Sequence, residues 1–163
     1  MARISKNKYI IFRLGRETYG VPVGKIKTVE RKINITPLLG VSCFIKGVTN
    51  LRGRVVPIFD LKKRLAIGET VLTPKTCAII LELRTNDGIY TDGLVVDEIL
   101  AVQDITKDEI EENPACSNTR RVRDFIVGTG NLKGKDVTLL DLHKILEKTP
   151  DSFLNLNMSM VRT

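Results

Sequence analysis

The 163-residue chain has a single histidine, His143, no tryptophan, and aromatics at only 5% of its positions. Its three cysteines, Cys43, Cys77 and Cys116, are scattered with no C-x-x-C pair. That spacing excludes the usual zinc sites, and an odd, dispersed set does not make the disulfide framework of a small secreted domain. It fits a reducing cytoplasm, where each cysteine serves as a small core hydrophobe. A Ser-His or Cys-His pair would have to use His143, which lies in the amphipathic run Leu142-His143-Lys144-Ile145-Leu146 and reads as a solvent-facing helical side chain. There is no Walker A sequence, and Gly128-Thr129-Gly130 lacks the third glycine and long helix of a dinucleotide site. No apolar run approaches the ~18 residues that span a bilayer, and Tyr9 to Phe12 is too short for a signal-peptide core. The expectation is a non-enzymatic protein with no catalytic residues, no metal, no cofactor and no membrane insertion.

What is present is enough apolar material for a core, 42% of residues, and a strong positive balance. Lys and Arg number 26 against 19 Asp and Glu, giving +7. The charge is unevenly placed: residues 1–85 hold 17 basic and 5 acidic side chains, residues 86–163 hold 9 and 14, so the chain is a charge dipole. The acids cluster at Lys107-Asp108-Glu109-Ile110-Glu111-Glu112, which reads as a short solvated helix capped by Thr106. Basic charge of this kind suits nucleic acid, but that reading also needs base-stacking aromatics on a basic groove, and the few Tyr and Phe sit in strand-like positions. Nucleic-acid binding is therefore the lesser reading.

The most informative feature is an internal repeat. Residues 44–65, FIKGVTNLRGRVVPIFDLKKRL, and 125–146, FIVGTGNLKGKDVTLLDLHKIL, align without a gap and are identical at 11 of 22 positions. Upstream, the strand-like run from Tyr9 to Leu14 answers that from Cys77 to Leu83. Gly20-Val21-Pro22-Val23 with Ile26 and Val29 answers Gly93-Leu94-Val95-Val96 with Ile99 and Val102 at the same spacing. The second half then carries eight additional residues, among them Pro114 and Arg120-Arg121. Asn50-Leu51-Arg52-Gly53 and Asn131-Leu132-Lys133-Gly134 read as type I turns with a left-handed glycine exit, each closing a hairpin. Asp60 and Asp141 precede short amphipathic helices and are placed to cap them. Gly47, Gly53, Gly128 and Gly134 read first as turn or close-packing glycines. For Ile26, Val29, Ile99 and Val102, core packing and an exposed groove both stay open.

Short strands, tight turns and one short helix per repeat predict a mostly β fold of two small five-stranded barrels, since closure removes sheet edges. Barrels this small are marginal alone and are expected to share a third apolar contact. The reading divides the chain into an N-terminal tail (1–7), one domain (8–148) with barrels near 15–75 and 76–148, and a C-terminal tail (149–163). Whether the terminal strands cross between barrels stays open.

The stretch from Phe44 to Gly53, continuing as Val55-Val56-Pro57-Ile58-Phe59-Asp60-Leu61, closely resembles the signature of CheW-like chemotaxis coupling proteins. So do Glu17-Thr18-Tyr19-Gly20-Val21, Gly93-Leu94-Val95-Val96-Asp97-Glu98-Ile99 and Phe125-Ile126-Val127-Gly128. The resemblance implies a cytoplasmic adaptor of two five-stranded SH3-like barrels, linking the cytoplasmic tips of chemoreceptors to the regulatory domain of the histidine kinase CheA. It implies association with membrane receptor arrays only through these protein partners. Kinase-contact positions fall on Ile26, Gly47 and Gly128, and receptor-contact positions on Cys77, Gly93, Ile99 and Val102, with Arg52 important for coupling. Many family members carry an acid two positions after Ile26, able to pair with Arg52; here that position is Thr28. Glu30 faces the same side if the strand runs regularly, so Arg52 is expected to pair with Glu30 or to stand unpaired and meet an acidic partner. Within the same resemblance, an adaptor of a twitching or other non-flagellar chemosensory pathway is the alternative.

Overall fold

The computed structural model describes residues 7–40, 43–86, 88–111 and 125–147. Cys116, Pro114, Glu112, Arg120, Arg121 and residues 149–163 lie outside the described residues, as do residues 1–6. The first repeat supplies β1 (Lys8–Leu14), β2 (Glu17–Pro22), a single 3-10 turn (Val23–Lys25), β3 (Ile26–Arg31), β4 (Ile45–Leu51), β5 (Arg54–Asp60) and α1 (Leu61–Arg64). The second supplies β6 (Cys77–Thr85), β7 (Gly88–Val96), β8 (Glu98–Asp104), a 3-10 turn (Lys107–Glu109), β9 (Ile110–Glu111), β10 (Ile126–Leu132), β11 (Lys135–Leu140) and α2 (Leu142–Glu147).

The strands form two sheets, ordered β8-β1-β2-β11-β10-β9 and β3-β6-β7-β5-β4. Each matches the other strand for strand, and each takes its central antiparallel pair from the opposite repeat. The parallel contacts are equivalent too: Gly20 sits opposite Leu139, and Gly93 opposite Ile58. Even β9 has a counterpart, because Glu111 pairs with Thr129 as Thr36 bridges to Val48. That equivalence places two of the eight additional residues before β9 and six after it.

Alternation along the strands divides the apolar residues among three cores. Ile58, Ala78, Ile80 and Val95 fill the five-stranded unit, and Ile11, Ile105, Val137 and Leu139 fill the six-stranded one. On the opposite faces, Phe12 and Leu14 of β1, Ile79 and Leu81 of β6, Phe59, Leu94 and Leu140 join a larger cluster drawn from both sheets. This is the shared apolar contact that two small barrels need.

The hairpin turns differ from the type I expectation. Loops of two residues, Arg52-Gly53 and Lys133-Gly134, join strands that end in the pairs Leu51/Arg54 and Leu132/Lys135. Both loop residues have positive φ, 52° and 83° in the first turn, 51° and 85° in the second. That is the primed geometry favoured by the right-handed twist of the strands, which type I would splay. Asn50 and Asn131 accept from the backbone N–H of Gly53 and Gly134, at 3.0 and 3.1 Å. Arginine has a Cβ that opposes φ > 0, so Arg52→Gly is expected to stabilise the fold by about 1 kcal/mol; an unchanged urea midpoint would refute the strain.

The acidic run also departs from the expected helix. Thr106 and Glu109 form a reciprocal capping box, and hydrogen bonds from the backbone and side chain of Thr106 hold the Glu109 carboxyl below its usual range. Only one turn follows before Ile110 and Glu111 leave to pair with β10. Sheet pairing outcompetes three residues of helix, whose nucleation is costly. The Asp caps are as expected: Asp60 accepts from Lys63 N at 3.4 Å and Asp141 from Lys144 N at 3.2 Å.

Candidate functional site

β3 and β8 occupy matched places at the free ends of the two sheets. Each contains a bulge at the same point of the repeat. Ile26 pairs with Leu81 and Thr28 with Ile80, leaving Lys27 without a partner; Ile99 pairs with Phe12 and Ala101 with Ile11, leaving Leu100 over. A regular strand would send residues three apart to opposite faces. The additional residue cancels that, so Ile26 with Val29, and Ile99 with Val102, turn toward the same side. Ile26, Val29 and Ile99 are partly buried against the shared core, whereas Val102 is 53% exposed. Packing is realised at Ile26, Val29 and Ile99, and exposure at Val102.

Beyond the bulge, Thr28 and Glu30 lie opposite Ile80 and Ala78, on the face of the five-stranded interior. Thr28 Oγ1 donates to Glu30 at 3.1 Å. With Lys27, Leu51, Arg52, Arg54, Val56, Ile80 and Thr91 they line a depression of about 180 Å³ at the mouth of this unit. Glu30 and Arg52 thus share a site without an ion pair, and Arg52 has no partner among the described residues. Ile26 borders a second, more open hollow of about 390 Å³ with Lys25, Lys27, Glu82 and Arg84.

Four other positions from the sequence are buried. A Cβ on Gly47 would come within 2.2 Å of Thr36 O, and one on Gly128 within 2.8 Å of Glu111 O. The backbone that approaches each glycine is the chain's own, at Thr36 and at Glu111. Cys77 is 3% exposed in the shared core, and a Cβ on Gly93 would meet Ile58 Cδ1 at 2.5 Å. These residues lie beneath the surface; Val102, the open part of Ile99 and the Arg52 depression are accessible. Cys43 is exposed, as is His143, which contacts the Lys25 ammonium. Among the described residues, no group of His, Cys, Asp and Glu could hold a metal, and no helix is long and apolar enough to cross a membrane.

Ionic contacts cross between the repeats. Asp97 accepts from Gly15 N at 2.6 Å and pairs with Lys62 at 2.9 Å, while Arg13 Nε reaches Glu98 at 3.2 Å. Strand exchange also reshapes the charge dipole. The described residues from 23 to 97 carry 12 basic and 6 acidic side chains; those of 8–22 and 98–147 carry 7 and 9. The contrast keeps its sign but shrinks.

A CheW-like domain model matches residues 8–149, nearly the whole described fold. The chain belongs to the CheW-like family. Its CheW-like architecture is shared with the scaffolding protein TtCheW of Thermoanaerobacter tengcongensis, at a TM-score of 0.75 and 30% identity over 87% of this chain and 93% of that one. Chemotaxis protein CheW of Klebsiella aerogenes is 33% identical over 139 residues, covering 85% of this chain and 81% of the relative. Protein FrzA of Myxococcus xanthus is 29% identical over 144 residues, covering 87% and 86%. As a CheW-family member the chain is a scaffold of chemotaxis-type signalling, in a family of non-enzymatic adaptors.

Two features of this CheW-like fold were missed in the sequence, and both are breaks in the repeat. Arg64 stands where the second repeat has Ile145, and Asp92, paired across from Leu81, stands where the first has Tyr19, paired across from Phe12. Asp92 is fully buried with no hydrogen-bond partner on either carboxylate oxygen among the described residues, and burial pushes its carboxyl up to about 7.

Proposed function

We propose that this chain bridges the regulatory domain of a CheA-type histidine kinase and the cytoplasmic tip of a chemoreceptor, each on its own face. The observation that carries this reading is the division of accessible features. One barrel presents Arg52, unpaired among the described residues, beside Glu30 at its mouth, and the other presents Val102 and Leu100 on an edge strand. An adaptor without chemistry acts by linkage, coupling the conformational states of two partners by roughly 1–3 kcal/mol. Repetition in an array adds effective concentration, so each face can be small. The kinase meets the side of β3 and Arg52; the receptor meets β8. The likeness to FrzA keeps a non-flagellar pathway as the alternative setting for the same two faces.

Calorimetry with the two partner fragments tests the division. Val102→Asp places a charge on an already exposed position, so the fold is expected to survive. It should weaken receptor-fragment binding at least tenfold and leave kinase-domain affinity within a factor of two. Arg52→Glu should do the reverse. Loss of kinase binding alone in Val102→Asp would overturn the assignment of faces, and a wild-type chain that bound neither fragment would overturn the function.

A further inference from the structure

Arg64 is the last residue of α1, 9% exposed, and its guanidinium lies between two phenyl rings. Its central carbon is 4.9 Å from the centroid of Phe44 and 4.6 Å from that of Phe125. These rings are repeat equivalents, heading β4 and β10 in different sheets. Each is pinned in the same way, its carbonyl accepting from Asp60 N at 2.7 Å or Asp141 N at 2.8 Å. Arg64 Nε donates to Ile145 O at 2.8 Å, and Ile145 is the repeat equivalent of Arg64 itself. One side chain therefore touches both hairpin roots and both helices at the point where the repeats face each other. One guanidinium NH₂ has no hydrogen-bond partner among the described residues. Burial lowers the arginine's proton affinity, and the two ring faces replace much of the lost hydration. An Arg plane suits this slot as a Lys ammonium does not, because it can stack on both sides while its Nε donates in the plane.

We propose that Arg64 is a positioning residue for coupling: it fixes the orientation of one barrel against the other, so that occupancy of the receptor face is felt at the kinase face. This rests on the two-face reading above. Arg64 contacts neither face, so its loss should spare each binary affinity and reduce the dependence of one on the other.

The test measures kinase-domain affinity with and without saturating receptor fragment, in the full chain. Wild type should show coupling within the typical range of about 5- to 150-fold. Arg64→Leu and, independently, Phe125→Leu should bring that factor close to one while each binary affinity stays within about threefold. Phe125→Leu removes one wall of the sandwich with α1 intact, so the test survives poor folding of Arg64→Leu. A structural readout accompanies it: spin labels at Arg54→Cys and Lys135→Cys, with Cys43 and Cys116 replaced by serine, should give a narrower distance distribution in the wild-type background than in either variant. Coupling and distribution unchanged in both variants would overturn the proposal, as would a wild type that binds both fragments without coupling. A wild type that binds neither fragment fails the two-face reading instead.

Discussion

Replacing Asp92 by leucine is expected to make the protein more stable at pH 8 and to remove a downward slope from its stability profile. The Asp92 carboxyl is fully buried, lies in the row Ile26-Leu81-Asp92 across three strands, and receives no hydrogen bond from the described residues. Its ordinary value of 3.8 is raised to about 7 because the low-dielectric surroundings penalise the charged form. Between these values the unfolded chain releases the proton and the folded chain keeps it, so each rise in pH favours unfolding. Stability from this group is fully present below about pH 4, declines through pH 4 to 7, and is flat above. The full difference corresponds to roughly 4 kcal/mol, a large part of the ~5–15 kcal/mol by which domains are stable. Urea midpoints of wild type and Asp92→Leu at pH 4.5, 6 and 8 isolate the effect, since other groups contribute equally to both. Parallel curves would mean that Asp92 has a partner or water in solution.

Gly47→Ala should cost more than any other single methyl group in the molecule's glycine positions. The new Cβ would lie 2.2 Å from a backbone oxygen and 2.7 Å from its carbon, at a φ of 155°. Backbone held by the Thr36–Val48 bridge cannot swing away as a side-chain end can. Overpacking at about 1–3 kcal/mol and a disfavoured φ at about 1–3 kcal/mol together give about 2–6 kcal/mol. Gly128→Ala should follow, with its first contact at 2.8 Å, and Gly93→Ala should cost less, because the atom in its way is the terminal methyl of Ile58. Denaturant titration of the three variants checks the order; equal costs would refute it. Lost partner binding in Gly47→Ala would then report a loosened fold and not a missing contact.

The repeat made the fold legible because identical turn and cap residues recur at one offset: Asn50 with Asn131, Gly53 with Gly134, Asp60 with Asp141. Periodicity also placed Thr28 and Glu30 on one face correctly. The turn type escaped because Arg52 and Lys133 are poor residues for positive φ, and only the observed two-residue loop demands it. The bulges at Lys27 and Leu100 escaped because an additional residue leaves no mark in hydrophobic pattern beyond a spacing of three where two or four would be regular. Composition reads Cys77 as a core residue and Gly47 and Gly128 as close-packing glycines, as the structure has them, while the resemblance reads all three and Gly93 as contact positions; small residues serve both. Arg64 and Asp92 were visible as mismatches between repeats, yet a charge in one copy reads equally well as a solvated surface until its neighbours are known.

The reciprocal loan of strand pairs has a consequence for the whole molecule. A cut in the loop between α1 and β6 would separate β1 from β8, β2 from β11, β3 from β6 and β5 from β7, leaving neither piece with an intact sheet. The two repeats stand to each other as subunits of a strand-swapped dimer fused into one polypeptide. Neither half can unravel and leave the other standing. With the two faces proposed above, a damaged copy loses both together and cannot linger as a one-armed adaptor that occupies a partner without connecting it to anything.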